Sequence, residues 1–286
     1  MIWGYGGYFG LAKNTLGECA ATAFLLSLHE MLYPGHRRAL GAIVLVVATL
    51  LLFWANSKTA LGLALVAPFL AGVTLILAKK TRISPAIILL SIPLCYGVLS
   101  SVSNFNSGRI SYMLYGDSTF TGRTKIWDFA QFEIKRRPLL GYGYRAFWLA
   151  GPNAPSVVDA RSYGWIGNMP NAHSGYYDTM LEMGCVGFTL LLVFIIATLD
   201  ATRRVAERSP RRAWLVLSLA LYIIIYNYLE SMWMRGFEFL WIVFLILTAE
   251  ISRFRRPLSL TKAAYRSRTA RPGHPSPSEG AQSPRK

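Results

Sequence analysis

Five stretches of the chain, Ala39 to Ala55, Thr59 to Ala78, Ile83 to Val102, Met183 to Leu199 and Ala213 to Leu229, run for 17 to 20 residues each without a charged side chain. That is the length of helix needed to cross a hydrocarbon core of ~30 Å. Two further runs, Thr15 to Leu32 with Glu18, His29 and Glu30, and Phe237 to Ile251 with Glu238 and Glu250, are read as spans that carry ionisable groups. Of the 286 residues 53% are apolar and 15% charged, more apolar side chain than a soluble fold of this size buries. The expected fold class is therefore all-α: a polytopic membrane protein of about seven transmembrane helices, with one long periplasmic loop containing short amphipathic helices.

Loop charge sets the expected orientation. "PGHRR" (34–38), "KKTR" (79–82), "DATRRVAERSPRR" (200–212) and the tail from Arg253 alternate with the less basic connections, and short Lys/Arg-rich loops stay cytoplasmic. The outer face then receives residues 1–14, "NSK" (56–58), the stretch from Ser103 to Asn171 and "ESMWMRG" (230–236). From Arg253 onward there are nine Lys and Arg against one acid, Glu279, a large part of the +16 net charge. This Pro-, Ser- and Gly-rich tail is expected to be disordered, and its charge suits anionic lipid headgroups rather than nucleic acid. Cys19, Cys95 and Cys185 all fall in spans without C-x-x-C spacing, so neither a zinc site nor a disulfide framework is indicated and a packing role is expected. The opening "MIWGYGGYFGLAKN" has no basic start and apolar core of a signal peptide, so insertion is expected to rely on the spans. Seven spans with the tail inside put the N-terminus outside, which suggests additional upstream helices in related proteins.

The expected organisation is an outer segment (1–14), four spans (15–102), a periplasmic loop (103–175), three spans (176–251) and the tail (252–286). The loop is too polar to span and dense in aromatics, which argues for a folded, functional segment. Within it Ile126, Phe129, Ala130 and Ile134 recur at helical spacing, Thr124 or Thr121 can cap the start, and Pro138 stops the helix. Arg123 stands at that helix's N-terminus, where a bound anion would meet backbone N–H groups and the guanidinium together. "GYGYR" (141–145) lacks the spacing and the preceding strand of a nucleotide-binding loop and reads as a turn whose glycines allow close packing.

Five phrases, "GYFGLAKNTLG", "NSKTALGLAL", "TGRTKIWDFAQFEIKRRPLLGYGYRAFW", "NAHSGYYDTMLEMGCVGF" and "ESMWMRGFEFLWIVF", in that order resemble the O-antigen ligase and polymerase superfamily, closest to its exopolysaccharide-production branch. The resemblance implies a bacterial inner-membrane glycosyltransferase that moves a glycan from an undecaprenyl-diphosphate carrier to a saccharide or lipid acceptor, with no metal, nucleotide sugar or other cofactor. It also implies other exopolysaccharide-assembly proteins and membrane lipids as partners. By the same resemblance Arg123 and a second cation contact the donor diphosphate, and His173 is the catalytic base. Where the family carries arginine at the second position this chain has Lys58, which keeps the charge but loses the bidentate fork.

The chemistry fits these roles. Expelling a diphosphate from an anomeric carbon needs cations at the leaving group and a base titrating near neutrality, which imidazole as a residue type provides. Arg145, Arg235 and Lys13 can complete a cationic funnel. Glu230 can pair with Arg235 or orient His173, and Asp178 can bond in its neighbourhood. Spacing alone leaves His173 open to a purely structural, capping role. The rival functions are a polysaccharide or lipid transporter, transfer of the glycan to protein, and a truncated, non-catalytic relative.

Overall fold

A computed structural model describes residues 13–33, 37–102 and 122–255. Among the described residues eight helices of 14 residues or more carry the architecture: α1 (Lys13–Leu32), α2 (Arg38–Trp54), α3 (Lys58–Thr81), α4 (Pro85–Val102), α5 (Arg123–Arg136), α6 (Gly175–Arg208), α7 (Pro210–Leu229) and α8 (Phe239–Ser252). No strand occurs among the described residues. The expected outer segment up to residue 12, the first quarter of the long loop (103–121) and the tail from 256 lie outside the described residues.

α3, α6 and α7 are long and apolar enough to cross a membrane, and α2, the first part of α4, and α8 are shorter apolar helices. The chain is a polytopic membrane protein. Its helices pack through small residues: α3 lines up Ala60, Ala64, Ala67 and Ala71, all fully buried, on one face. Gly17 of α1 lets that helix approach until a Cβ would stand 3.0 Å from those of Ala60 and Ser57. Small side chains let backbones come close where lipid offers no hydrophobic drive to helix association. α7 is the central helix, with Leu217, Ala220, Tyr222, Ile223 and Tyr226 enclosed by α1, α3, α6 and α8. Of the three cysteines only Cys19 is half-buried; Cys95 and Cys185 are exposed on the bundle's surface, so the expected packing role fails for them, because both face outward from their helices.

Two prolines, Pro68 and Pro93, sit inside α3 and α4. The sharpest irregularity is in α6, where Gly184 adopts φ 60°, ψ −163° and divides the helix. Buried backbone groups freed by such a break must find partners. The chain from Pro138 to Gly143 supplies them: Cys185 N donates to Pro138 O (2.8 Å), Val186 N to Leu139 O (3.2 Å), Tyr142 N to Leu181 O (2.8 Å) and Gly143 N to Glu182 O (2.9 Å). A Cβ on Gly141 or Gly184 would run into the opposing backbone, so the first glycine of "GYG" serves the expected close approach, whereas Gly143, at φ 106°, meets only the Ala146 Cβ at 3.4 Å.

Candidate functional site at the capped end of the bundle

Residues 122–174 fold as a cap over the start of α6. α5 turns Ile126, Trp127, Phe129 and Ala130 inward against Phe147, Trp148, Ile166, Ala172 and Leu181, forming a core separate from that of the bundle. The helix starts where expected, but its N-cap is Gly122 in the left-handed region (φ 84°), with no side-chain cap bond. Thr124 lies inside the helix, and Thr121 is outside the described residues. At the helix end, Arg136 bonds to Glu133 and Asp159, and Arg137 lies 4.8 Å over the Tyr142 ring. The Tyr142 hydroxyl donates to the wholly buried Glu133 carboxylate; burial, then that carboxylate, hold the phenol's pKa well above its ordinary value.

The turn before α6 is bonded at every residue. Asn171 Oδ1 accepts from His173 N (2.9 Å), Ala172 N donates to Asp178 Oδ1 (3.0 Å), and Trp127 Nε1 donates to Ala172 O (3.1 Å). Ser174 N donates to Ser231 Oγ (3.0 Å) and Gly175 N to Glu230 O (2.9 Å), which tie the turn to the segment after α7. His173 itself has φ 48°, a conformation that costs a non-glycine residue about 1 kcal/mol or more and persists only when its surroundings impose it. Gly175 explains the spacing of "HSG": a Cβ there would collide with the Asn227 amide and the Trp233 ring. Asn227 holds the adjoining loop in turn, its Oδ1 accepting from Met232 N (3.0 Å) and Trp233 N (2.9 Å).

Glu230 is the centre of this end. Its Oε1 accepts from Arg123 Nη2 (2.7 Å) and Asn14 Nδ2 (2.9 Å), and its Oε2 stands 3.5 Å from His173 Nδ1. The Arg123 and Glu230 side chains are 17% and 9% exposed and that of His173 31%, so the pair is sheltered while the imidazole reaches solvent. Arg235 does not pair with Glu230, one of the two expected arrangements. It bonds Asp178 Oδ2 (3.0 Å) and approaches Glu182 Oε1 (3.7 Å), because the "SMWMRG" turn carries it over the first turns of α6. Asp178 also accepts from Trp148 Nε1 (2.7 Å), joining the cap to the bundle. Arg145 is exposed with φ 55°, and its neighbour Tyr144 donates to Met234 O (2.8 Å), which ties the two outer loops together.

Lys58 opens α3 at this same end and is exposed. Its neighbour Ser57 caps the helix and packs on Gly17, one turn of α1 beyond Asn14. His29 is at the other end, stacked on Trp214, and His36 and His274 lie outside the described residues. Sequence reasoning passed over Asn14, Glu182, Asn227 and Ser231. Glu182 and Asn227 carried a usable signal, each a polar side chain within or against an apolar run. Among the described residues no group of three or more His, Cys, Asp or Glu is placed to hold a metal ion.

A helical membrane bundle that closes one end with a folded cap, and there sets an arginine and a histidine on one sheltered carboxylate, defines a membrane protein with a polar site at its surface. A family model described as O-antigen ligase matches residues 43–192, and the chain belongs to that family. It is also similar to the exopolysaccharide production protein ExoQ of Rhizobium meliloti (strain 1021), 26% identical over 211 residues, covering 70% of this chain and 48% of that protein. The chain thus spans about half the length of the curated relative it matches. No solved structure matches it.

Proposed function

We propose that the protein takes part in building surface or exopolysaccharide as a glycosyltransferase, polymerase or ligase, using a glycan carried on a membrane polyprenyl diphosphate. The observation that carries the reading is the meeting of Arg123 and His173 on Glu230. With Nδ1 turned to a carboxylate, His173 keeps its proton on Nδ1 and offers Nε2 as the base. Nε2 takes the proton from an acceptor sugar hydroxyl, the oxygen bonds to the donor's anomeric carbon, and the carbon–oxygen bond to the diphosphate breaks with its electron pair leaving on phosphate. Glu230 stabilises the imidazolium so formed; Arg123 and Lys58 face the departing charge, with Arg145 beside them. Arg235 acts through Asp178 and Glu182, fixing the turn that carries His173. The 3.5 Å between imidazole and carboxylate is long for a hydrogen bond, as catalytic contacts are before substrate tightens them.

The reading places the protein in the bacterial inner membrane with this end periplasmic and the basic end and tail cytoplasmic. Purified protein supplied with a polyprenyl-diphosphate oligosaccharide tests it. His173→Gln should lower turnover about 10²- to 10⁴-fold while donor binding persists. Transfer at the wild-type rate would remove His173 as base. Lys58→Arg should preserve activity and Lys58→Ala weaken donor affinity, and an unchanged affinity in Lys58→Ala would take Lys58 out of the site.

A further inference from the structure

The end of the bundle away from His173 holds a cavity of about 540 Å³ between the last turns of α3 and α6 and the first turns of α4 and α7. It lies a whole helix away from the site, since α3 runs 24 residues from Lys58 to this end, ~36 Å at 1.5 Å per residue. Lys79, Arg82 and Arg203 line it, against one acid, Glu207, which pairs with Arg203 at 3.4 Å. Two helix N-termini open beside it: Pro85 and Pro210, the first residues of α4 and α7, are both in its wall. The capping serines before them accept from Ala86 N and Arg212 N, so each helix begins with its positive dipole end at the cavity. The carbonyl ends of α3 and α6 also arrive here, and Lys79, Lys80 and Arg208 in their last turns offset them. Asp200, the other acid nearby, is engaged by Ser84 Oγ at 2.5 Å.

Arg82 occupies the α3 C-cap at φ 62°, a position that glycine fills without strain. A cation is kept there at a conformational cost. The rest of the wall is apolar, and Leu75 and Ile76 lead from it onto a face of α3 where Val73, Phe69 and Leu65 are exposed on the bundle's surface. A cationic mouth joined to an exposed apolar strip suits one occupant by charge and by shape.

The geometry points to a binding site for an anionic membrane phospholipid: the headgroup phosphate sits among Lys79, Arg82 and Arg203, and the acyl chains lie along α3. Basic pockets between transmembrane helices hold such headgroups, and 540 Å³ is ample for a phosphoglycerol. The site is independent of the sugar-transfer reading, since its residues touch none of those around Glu230.

The test uses the full chain in phosphatidylcholine vesicles with and without phosphatidylglycerol, read by the midpoint of thermal unfolding and by lipid retained in native mass spectrometry. Phosphatidylglycerol should raise the wild-type midpoint. The triple variant Lys79→Gln, Arg82→Gly, Arg203→Gln should lose most of that rise, with apparent affinity down about fivefold per cation. Arg266→Gln, Arg268→Gln, Arg271→Gln removes the same charge from the tail and should keep the rise. Arg82→Gly alone relaxes the backbone, so it should be at least as stable as wild type in phosphatidylcholine and still lose part of the response. Equal losses in the cavity and tail variants, a full rise in the cavity variants, or the same rise produced by inorganic phosphate alone would each overturn the proposal.

Discussion

The two ends of the bundle use the same ionisable residues differently. At the capped end Arg123 and Glu230 are 2.7 Å apart with side chains 17% and 9% exposed, and Arg235 and Asp178 are 3.0 Å apart at 14% and 5%. At the basic end Arg203 and Glu207 are 3.4 Å apart at 52% and 63%, and Arg253 and Glu250 are 2.9 Å apart at 76% and 31%. Distance hardly separates these pairs; burial does. A sheltered charge that loses its partner is left desolvated, at a cost of about 3–5 kcal/mol, whereas an exposed pair contributes about 0–1 kcal/mol. One end is a fixed array of charges, and the other is a solvated set of exposed pairs.

Substitutions at glycine give the largest contrast. Gly184→Ala forces a Cβ into the Leu139 carbonyl and a strained φ of 60°, and it should cost about 4 kcal/mol or more in denaturant unfolding of the solubilised protein. Gly72→Ala in α3 meets only the edge of Trp214 at 3.6 Å, an ordinary contact in a helix, and should be neutral or stabilising by about 0.5–1 kcal/mol. Comparable losses would mean that the break in α6 is not what shapes the capped end. Next is Glu230→Ala, which strips Arg123 and His173 of their shared carboxylate and should cost about 3–5 kcal/mol. Glu230→Gln keeps an acceptor for Arg123 and Asn14; it should retain more of the fold while turnover still falls, because a neutral amide does not stabilise an imidazolium. Full turnover in Glu230→Gln would confine Glu230 to structure.

The helices were legible because uncharged runs of spanning length admit few other solutions, and the amphipathic period of residues 126–134 announced α5. Arg123 stood out at the start of an amphipathic helix, and His173 and Glu230 as polar groups beside apolar runs. Their partners were not. Nothing local distinguishes Arg235 bonded to Asp178 from Arg235 bonded to Glu230, because the choice follows from how the turn after α7 folds over α6. The break at Gly184 was hidden for a similar reason: its replacement hydrogen bonds come from Pro138 and Leu139, more than forty residues earlier. The positive φ of His173 belongs to a turn held by Trp127, Ser231 and Glu230 as well as by its neighbour Asn171, and only the last of these is local in sequence.

Tyr142 tests the capped end by pH. Burial and the Glu133 carboxylate raise its folded pKa above the ordinary phenol value of about 10. The folded state then holds a proton that the unfolded chain releases, so its contribution is fully present below about pH 10 and is lost as pH rises toward the folded value. Wild type should lose stability between about pH 9 and 11 more steeply than Tyr142→Phe. The phenylalanine variant should be lower near neutrality by about 1–2 kcal/mol, since it removes one donor from a buried carboxylate that keeps Arg136. Parallel pH curves would mean that the phenol is as free to ionise as in the unfolded chain.

The smallest effect belongs to the basic end. Glu250 is shared between Arg253 at 2.9 Å and Arg212 at 3.6 Å, with both arginines largely exposed. Removing one leaves the other beside the carboxylate, and water solvates whatever is left unpaired. Arg253→Ala should change stability by less than about 0.5 kcal/mol, and added salt should shrink even that. A double-mutant cycle on Arg253 and Glu250 should give a coupling several times smaller than one on Arg123 and Glu230. If the two couplings are equal, burial is not what separates the ends, and the sheltered network around Glu230 loses its claim to hold His173 more firmly than a surface pair would.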